Sequence, residues 1–171
     1  MGRYKHIFHK GNTDLQQQNN SSGLYYPNNA PGLYIHPNKN ALVVVMNTFD
    51  NIMEEIEIDD IPLNKWINVI IRCENTTLDV YINGTIVKRH QLTSVPKQNY
   101  DDVYVAMNGG FDGYISDLRY FDYALGTSKI QSIVESGPNL KMKSGTGVTQ
   151  GNPPYFSLRW YFMGDRDQYN P

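Results

Sequence analysis

"LDVYINGTIVKRH" (residues 78–90) is the stretch that decides how this chain reads. Two arms rich in β-branched and aromatic residues flank Asn83-Gly84. That dipeptide most readily supplies the positive φ angles of a tight two-residue hairpin. Successive strand residues point to opposite faces, so Leu78, Val80 and Ile82 share one side and Asp79, Tyr81 and Asn83 the other. An antiparallel hairpin is therefore expected at this point.

The same pattern continues outward. Just upstream, "WINVIIRCEN" (66–75) is apolar on both faces, which predicts a central strand covered on two sides. "KHIFHKGN" (5–12) alternates and ends at a Gly-Asn turn, and "PGLYIHPNKNALVVVMN" (31–47) reads as strand, Asn-rich turn, strand. "LQQQNNSS" (15–22) is a polar loop with nothing to bury. "MEEIEIDD" (53–60) sets Glu55, Glu57 and Asp59 on one side of a strand, with Ile56 and Ile58 on the other. "DDVYVAMNGGFDG" (101–113) gives a further strand and a turn at Gly110 and Gly113, where a Cβ would strain the backbone.

One helix is expected over 127–136. Thr127 stands as N-cap, Ile130, Ile133 and Val134 have helical spacing, and Gly137-Pro138 stops the run. "NLKMKSGTGVTQGNPP" (139–154) has the composition of a linker. In "YFSLRWYF" (155–162), Phe156, Leu158, Trp160 and Phe162 alternate with Tyr155, Ser157, Arg159 and Tyr161, so residues 155–171 are expected to form a strand and tail packing back on the domain or on a partner. Strands at short spacing with one brief helix point to an all-β, two-sheet antiparallel sandwich spanning residues 1–138.

Bulk properties narrow the function. With 171 residues the chain suits one domain that buries a real core. A net charge of -2, from 15 basic and 17 acidic residues, leaves no electrostatic footprint for nucleic acid. No apolar run approaches membrane-spanning length. The one cysteine, Cys73, excludes an internal disulfide and a multi-cysteine zinc site, and its apolar surroundings suggest a buried, inert thiol.

Several motifs in fixed order resemble the concanavalin A-like, laminin-G-like jelly rolls. "IPLNKWINVII" resembles the strand that a Trp begins, and "LDVYINGTIVKR" resembles the hairpin that comes after it. "GGFDGYISDLRYFDYAL" and the short helix after it resemble the closing strand of that fold. The wording "HIFHKGN", "IHPNKNAL" and "GPNLK" is similar to versions in proteins of large DNA viruses. The resemblance covers about residues 5–138 and implies a jelly roll in which Trp66 fills the space between two sheets, within a virion-associated protein. Members usually begin with a further strand, which this sequence does not show, so the expectation is either a fragment of a longer protein or a sheet edge covered by strand complementation from a partner or by oligomerisation.

Candidate chemistry is sparse. Laminarinase-type hydrolases carry Glu-x-Asp-x-x-Glu on one strand, whereas Glu55-Ile-Glu57-Ile-Asp59 departs in order and spacing. A solvated strand face is the better reading, and no catalytic residue is assigned. His6 and His9, three apart on a strand, are expected on opposite faces, and His36 and His90 at the surface. Relatives that bind calcium make Asp101, Asp102 and Asp112 weak metal candidates, and no cofactor is otherwise expected. "SSGLYYPNNAPGLY" (21–34) mixes rings for a pyranose face with amides for hydroxyls, so Tyr25, Tyr26, Asn28, Asn29 and Tyr34 form the candidate ligand set. The expectation is a non-catalytic module that binds a glycan. Its alternatives are a capsid or assembly component making protein contacts and, more weakly, a glycoside hydrolase.

Overall fold

The Asn83-Gly84 turn forms as its residues dictate, with φ of 51° at Asn83 and 84° at Gly84. In this computed structural model, which describes residues 2–14, 22–140, 158 and 161, it joins two of eight strands. These are β1 (Lys5–Gly11), β2 (Asn29–Ile35), β3 (Ala41–Met46), β4 (Glu54–Asp59), β5 (Val69–Glu74), β6 (Thr77–Ile82), β7 (Thr85–Gln91) and β8 (Val103–Val105), followed by the helix α1 (Thr127–Ser136). The strands form a five-stranded sheet in the order β4-β3-β2-β1-β8 and a three-stranded sheet in the order β5-β6-β7. The fold is thus mostly β, with two antiparallel sheets and one short helix, as the sequence predicts.

The described residues divide into two compact units. One comprises those up to Ile61 with Cys73–Leu78 and Arg89–Gly113, and the other comprises Pro62–Arg72, Asp79–Lys88 and those from Tyr114 onward. In the first unit, all six residues of β3 are buried, because it lies inside its sheet and carries the run Leu42-Val43-Val44-Val45. Burying one such side chain stabilises by about 1.5–3 kcal/mol. β4 is an edge strand on which Glu54, Ile56 and Ile58 are buried while Glu55, Glu57 and Asp59 face water. Tyr4 donates its hydroxyl to Glu55 at 3.1 Å, and Lys39 pairs with Glu57 at 2.6 Å. Exposed pairs of this kind contribute only about 0–1 kcal/mol.

In the three-stranded sheet the central strand is β6, not the segment that starts at Trp66. Leu78, Val80 and Ile82 are buried on one face, and Asp79 and Asn83 on the other. β5 begins only at Val69 and forms an edge, with no fully buried residue. The reason lies at Asn68, whose backbone is held by the hairpin turn. Its N–H donates to Asn83 Oδ1 at 2.7 Å, and its carbonyl accepts from Asn83 N at 2.8 Å. Trp66 stands before the strand, half-buried, with its ring 6.4 Å from that of Tyr114. Cys73 is likewise half-buried instead of buried. Buried Asp79 has Arg72 at 3.6 Å, and Arg72 Nε also donates to the Leu125 carbonyl at 2.8 Å.

Asn83 therefore does two things, accepting the left-handed φ and holding Asn68. Asn83→Ala is expected to cost about 1–3 kcal/mol of unfolding free energy, measured by denaturant titration. Asn83→Gly, which keeps the backbone conformation, should recover part of that loss. Gly84 serves a second purpose as well, because a Cβ there would meet Val134 Cγ2 at 3.3 Å.

Two further expectations are corrected. The helix is capped by Gly126 with no side-chain bond, so Thr127 is its first helical residue and not the cap. Ile130 and Val134 are its buried residues, and Gly137 at φ 67° ends it. Residues 114–125 form no strand. Asp117 takes a left-handed φ of 57°, which breaks a ladder, and its carboxylate holds Arg119 through Nε at 2.9 Å and Nη2 at 2.5 Å. At the preceding turn Gly110 has φ 56°, as expected, whereas at Gly113 a Cβ would overlap the Phe111 ring. Of the expected C-terminal strand, Leu158 and Tyr161 have helical backbone, and Lys65 Nζ donates to the Tyr161 carbonyl at 2.5 Å. Trp160 and the remainder of that segment lie outside the described residues, as does most of the 139–154 linker.

Candidate functional site

The first strand departs from simple alternation. His6 pairs with Tyr34 on β2, but Phe8 pairs with Leu33 and His9 with Gly32, so one residue is extra between His6 and Phe8. The bulge reverses the parity of the strand residues beyond it. Because Tyr34 and Gly32 are two apart on β2, their partners His6 and His9 share a face. Both histidines are buried, 2% and 0% exposed, which corrects the expectation of opposite faces.

They form a directed hydrogen-bond chain. Met107 N donates to His6 Nδ1 at 3.0 Å, which leaves the His6 proton on Nε2. His6 Nε2 then donates to His9 Nδ1 at 2.7 Å, and His9 Nε2 donates to the Asn12 carbonyl at 2.8 Å. The first two links need Nδ1 of His6 and Nδ1 of His9 unprotonated, so the intact chain has both rings neutral, whereas the His9–Asn12 bond can be donated in either state. Burial pulls the His6 pKa down to about 4, with the adjacent His9 adding to the effect. Burial also lowers that of His9, partly offset by its bond to Asn12. In the unfolded chain both rings take up protons near their ordinary value of about 6.5. The unfolded state therefore binds more protons as the pH falls from about 6.5 towards 4, and stability declines in that direction. Chemical denaturation at a series of pH values should show this loss, at up to about 1.4 kcal/mol per pH unit for each proton taken up.

Around this chain the structure packs three members of the expected ligand set. Tyr25 is 2% exposed and stacks on His9 with centroids 4.3 Å apart and planes at 11°. Tyr34 and Asn29 are fully buried, and Asn29 Nδ2 donates to the Tyr34 hydroxyl at 2.8 Å and the Tyr25 carbonyl at 3.3 Å. These three are core, joined by Leu24, Val43 and Val45. Tyr26 and Asn28 alone of that set face solvent.

The two exposed residues lie where the ends of four strands meet. β1 ends and β2 begins here, β3 ends, and β8 begins, as their antiparallel pairing requires. The loops are tied to one another. Asn12 Nδ2 donates to the Tyr26 carbonyl at 2.9 Å and to Asp14 Oδ2 at 2.8 Å, while Asn12 Oδ1 accepts from Asn28 N at 3.1 Å. Asn28 Nδ2 donates to Asp101 Oδ2 at 2.8 Å, and Asn47 Nδ2 to the Pro27 carbonyl. Phe49 N donates to the Val95 carbonyl at 3.2 Å, and Lys97 Nζ lies 5.9 Å over the Phe49 ring. The exposed rings on these loops are Tyr26 at 37%, Phe49 at 65% and Tyr100 at 83%.

The calcium candidates do not assemble a site. Backbone carbonyls at Asn99 and Asp101 converge, but Lys10 Nζ is their partner, at 2.7 and 2.5 Å. An ammonium thus fills the place a cation would take, the Asp101 carboxylate holds Asn28, and Asp102 and Asp112 are exposed. Among the described residues no three His, Cys, Asp or Glu side chains gather to hold a metal. One further polar cluster was unforeseen. Buried Glu54 accepts from His90 Nε2 at 2.7 Å and from Thr93 Oγ1 at 2.8 Å. Burial opposes its charge, yet these bonds together hold its carboxyl below the usual range.

Residues 4–131 match the family model Laminin_G_3, described as the concanavalin A-like lectin/glucanases superfamily. The chain belongs to that superfamily. No curated protein matches this superfamily member. Among solved structures it is similar to residues 221–444 of an S-layer domain-containing protein from Clostridium thermocellum, at 20% identity and a TM-score of 0.35. That alignment covers 60% of this chain and 55% of the other.

Proposed function

We propose that this domain is a non-catalytic recognition module that binds a glycan through the loop end of its five-stranded sheet. The observation that carries the reading is the surface itself. The rings of Tyr26, Phe49 and Tyr100 are exposed on the loops at this strand end, and the same loops carry an Asn28–Asp101 amide–carboxylate pair. Rings offer the apolar face of a sugar a platform, and an amide beside a carboxylate offers hydroxyls both a donor and an acceptor. Membership of a superfamily that includes lectins supports a carbohydrate or protein ligand. The non-catalytic reading rests on the acids of β4, which stand on an edge strand and are engaged with Tyr4 and Lys39. The large-virus wording of the sequence supports a virion-associated setting.

The test is a glycan array followed by affinity measurement on a retained sugar. Tyr26→Ala and Asn28→Ala should each weaken that sugar at least about tenfold, the loss of roughly 1.4 kcal/mol. Thermal unfolding should stay unchanged. A protein partner is the second reading, favoured by the exposed edge strand β7 with Ile86 and Val87 at 43% and 46%. Concentration-dependent sedimentation with no sugar retained would favour it.

A further inference from the structure

The chain Met107–His6–His9–Asn12 begins at the 106–110 turn and ends on the residue that organises the ligand loop. Asn12 meets His9 through its carbonyl and meets Tyr26, Asp14 and Asn28 through its side chain. It also donates its backbone N–H to the Asn28 carbonyl at 3.2 Å. A change at either imidazole is therefore one or two bonds from the hub that holds Tyr26 and Asn28.

We propose that this chain is an acid-sensitive latch, which holds the recognition loop at neutral pH and releases it when either ring is protonated. The proposal rests on the reading of the loop end as the ligand surface, and it concerns the regulation of that surface. The geometry leaves no place for an added proton. On His6 Nδ1 it would face the Met107 N–H, and on His9 Nδ1 it would face the His6 Nε2–H. Either way two donors oppose each other and the Met107–His6 or the His6–His9 link breaks, so Asn12 is released only as the charged His9 ring moves out with it.

Among the described residues no carboxylate pairs with either ring, and of their hydrogen bonds only that from His9 Nε2 to the Asn12 carbonyl favours the charge. His6 faces His9, Tyr25 and Tyr34, with ring centroids at 4.9, 5.1 and 5.4 Å. His9 faces Tyr25 and, from β8, Tyr104 at 5.5 Å. From β3 the core supplies Val43 and Val45, and beyond it Met53 and Met107. Glu55 is bonded to the Tyr4 hydroxyl, whose ring lies 6.4 Å from that of Tyr34, and Asp14 is bonded to the Asn12 side chain. A buried imidazolium without a counter-ion is relieved by leaving the cluster, and Asn12 is the half-buried end of the chain. Burial holds both rings below their ordinary range, His6 at about 4, so release follows as the pH falls below about 6.5.

The test needs no ligand. Amide hydrogen-exchange protection factors would be measured on the full chain at pH 7.5 and pH 5. The latch requires protection at Asn12 and Asn28 to fall at least tenfold while Val43–Val45 of β3 stay protected. Unchanged protection at Asn12 and Asn28 down to pH 5 overturns it. The double variant His6→Gln/His9→Gln keeps an acceptor and a donor at each position but does not titrate. It should show the pH 7.5 protection at both pH values, and a fall equal to that of the native chain overturns the proposal. Should the variant not fold, the native comparison still decides. A blank glycan array at both pH values, with protection lost at pH 5, would reject the ligand reading and leave the latch standing.

Discussion

Tyr25→Ala is expected to lower the unfolding free energy by about 3–5 kcal/mol, the cost of deleting a fully buried aromatic ring. The Tyr25 ring stacks on His9 and packs edge-on against His6, and Leu24, Tyr34, Val43 and Val45 complete its cluster. Deleting the ring leaves a cavity against a hydrogen-bonded pair that cannot collapse into it without breaking its own bonds. Tyr26→Ala, one residue away, should change stability by no more than about 0.5 kcal/mol, because its ring is exposed. Urea denaturation of both variants separates the two roles. Comparable losses at the two positions would refute the division between core and surface.

Gly32→Ala is expected to be nearly as damaging, at about 3 kcal/mol, the upper end for overpacking a filled core. A Cβ at Gly32 would overlap Asn29 Oδ1 and come within 2.8 Å of Tyr34 Cε2. Asn29 has little room to yield, since it is fully buried and its amide holds both Tyr34 and the Tyr25 carbonyl. Gly32 also sits opposite His9 in the sheet, so a shift of Asn29 is felt by the histidine pair. Thermal unfolding should drop by several degrees, and Asn29→Ala combined with Gly32→Ala should cost less than the sum of the two alone. Strict additivity would show that the clash is not with Asn29.

The sheets were legible where a local rule had no competitor. Asn83-Gly84 fixed its hairpin, the alternation of Glu54–Asp59 fixed which acids are wet, and the run Leu42–Val45 marked a strand. Trp66 misled because Asn68 is held by Asn83, through one bond to its side-chain oxygen and one to its backbone N–H, an interaction between residues 15 apart. The segment 114–125 misled because Asp117 prefers to hold Arg119 locally in a left-handed turn. The site was half legible. Composition singled out the 21–34 segment as the candidate, but period and composition alone do not tell that Tyr25 and Asn29 turn inward while Tyr26 and Asn28 turn outward. The histidine pair was hidden by one inserted residue, since parity along "HIFHKG" gives opposite faces unless a bulge intervenes. The cue that was present is the pairing of two imidazoles with Gly11 and Asn12 close behind.

A glycan array of the native domain beside Tyr26→Ala, run with calcium and with chelator, decides whether the loop end is a sugar-binding surface. Selective retention is expected of the native domain and should be lost in Tyr26→Ala. Chelator should have no effect, because Lys10 occupies the carbonyls of Asn99 and Asp101. Retention that survives Tyr26→Ala, or an array blank for folded native protein, would refute the assignment of this surface.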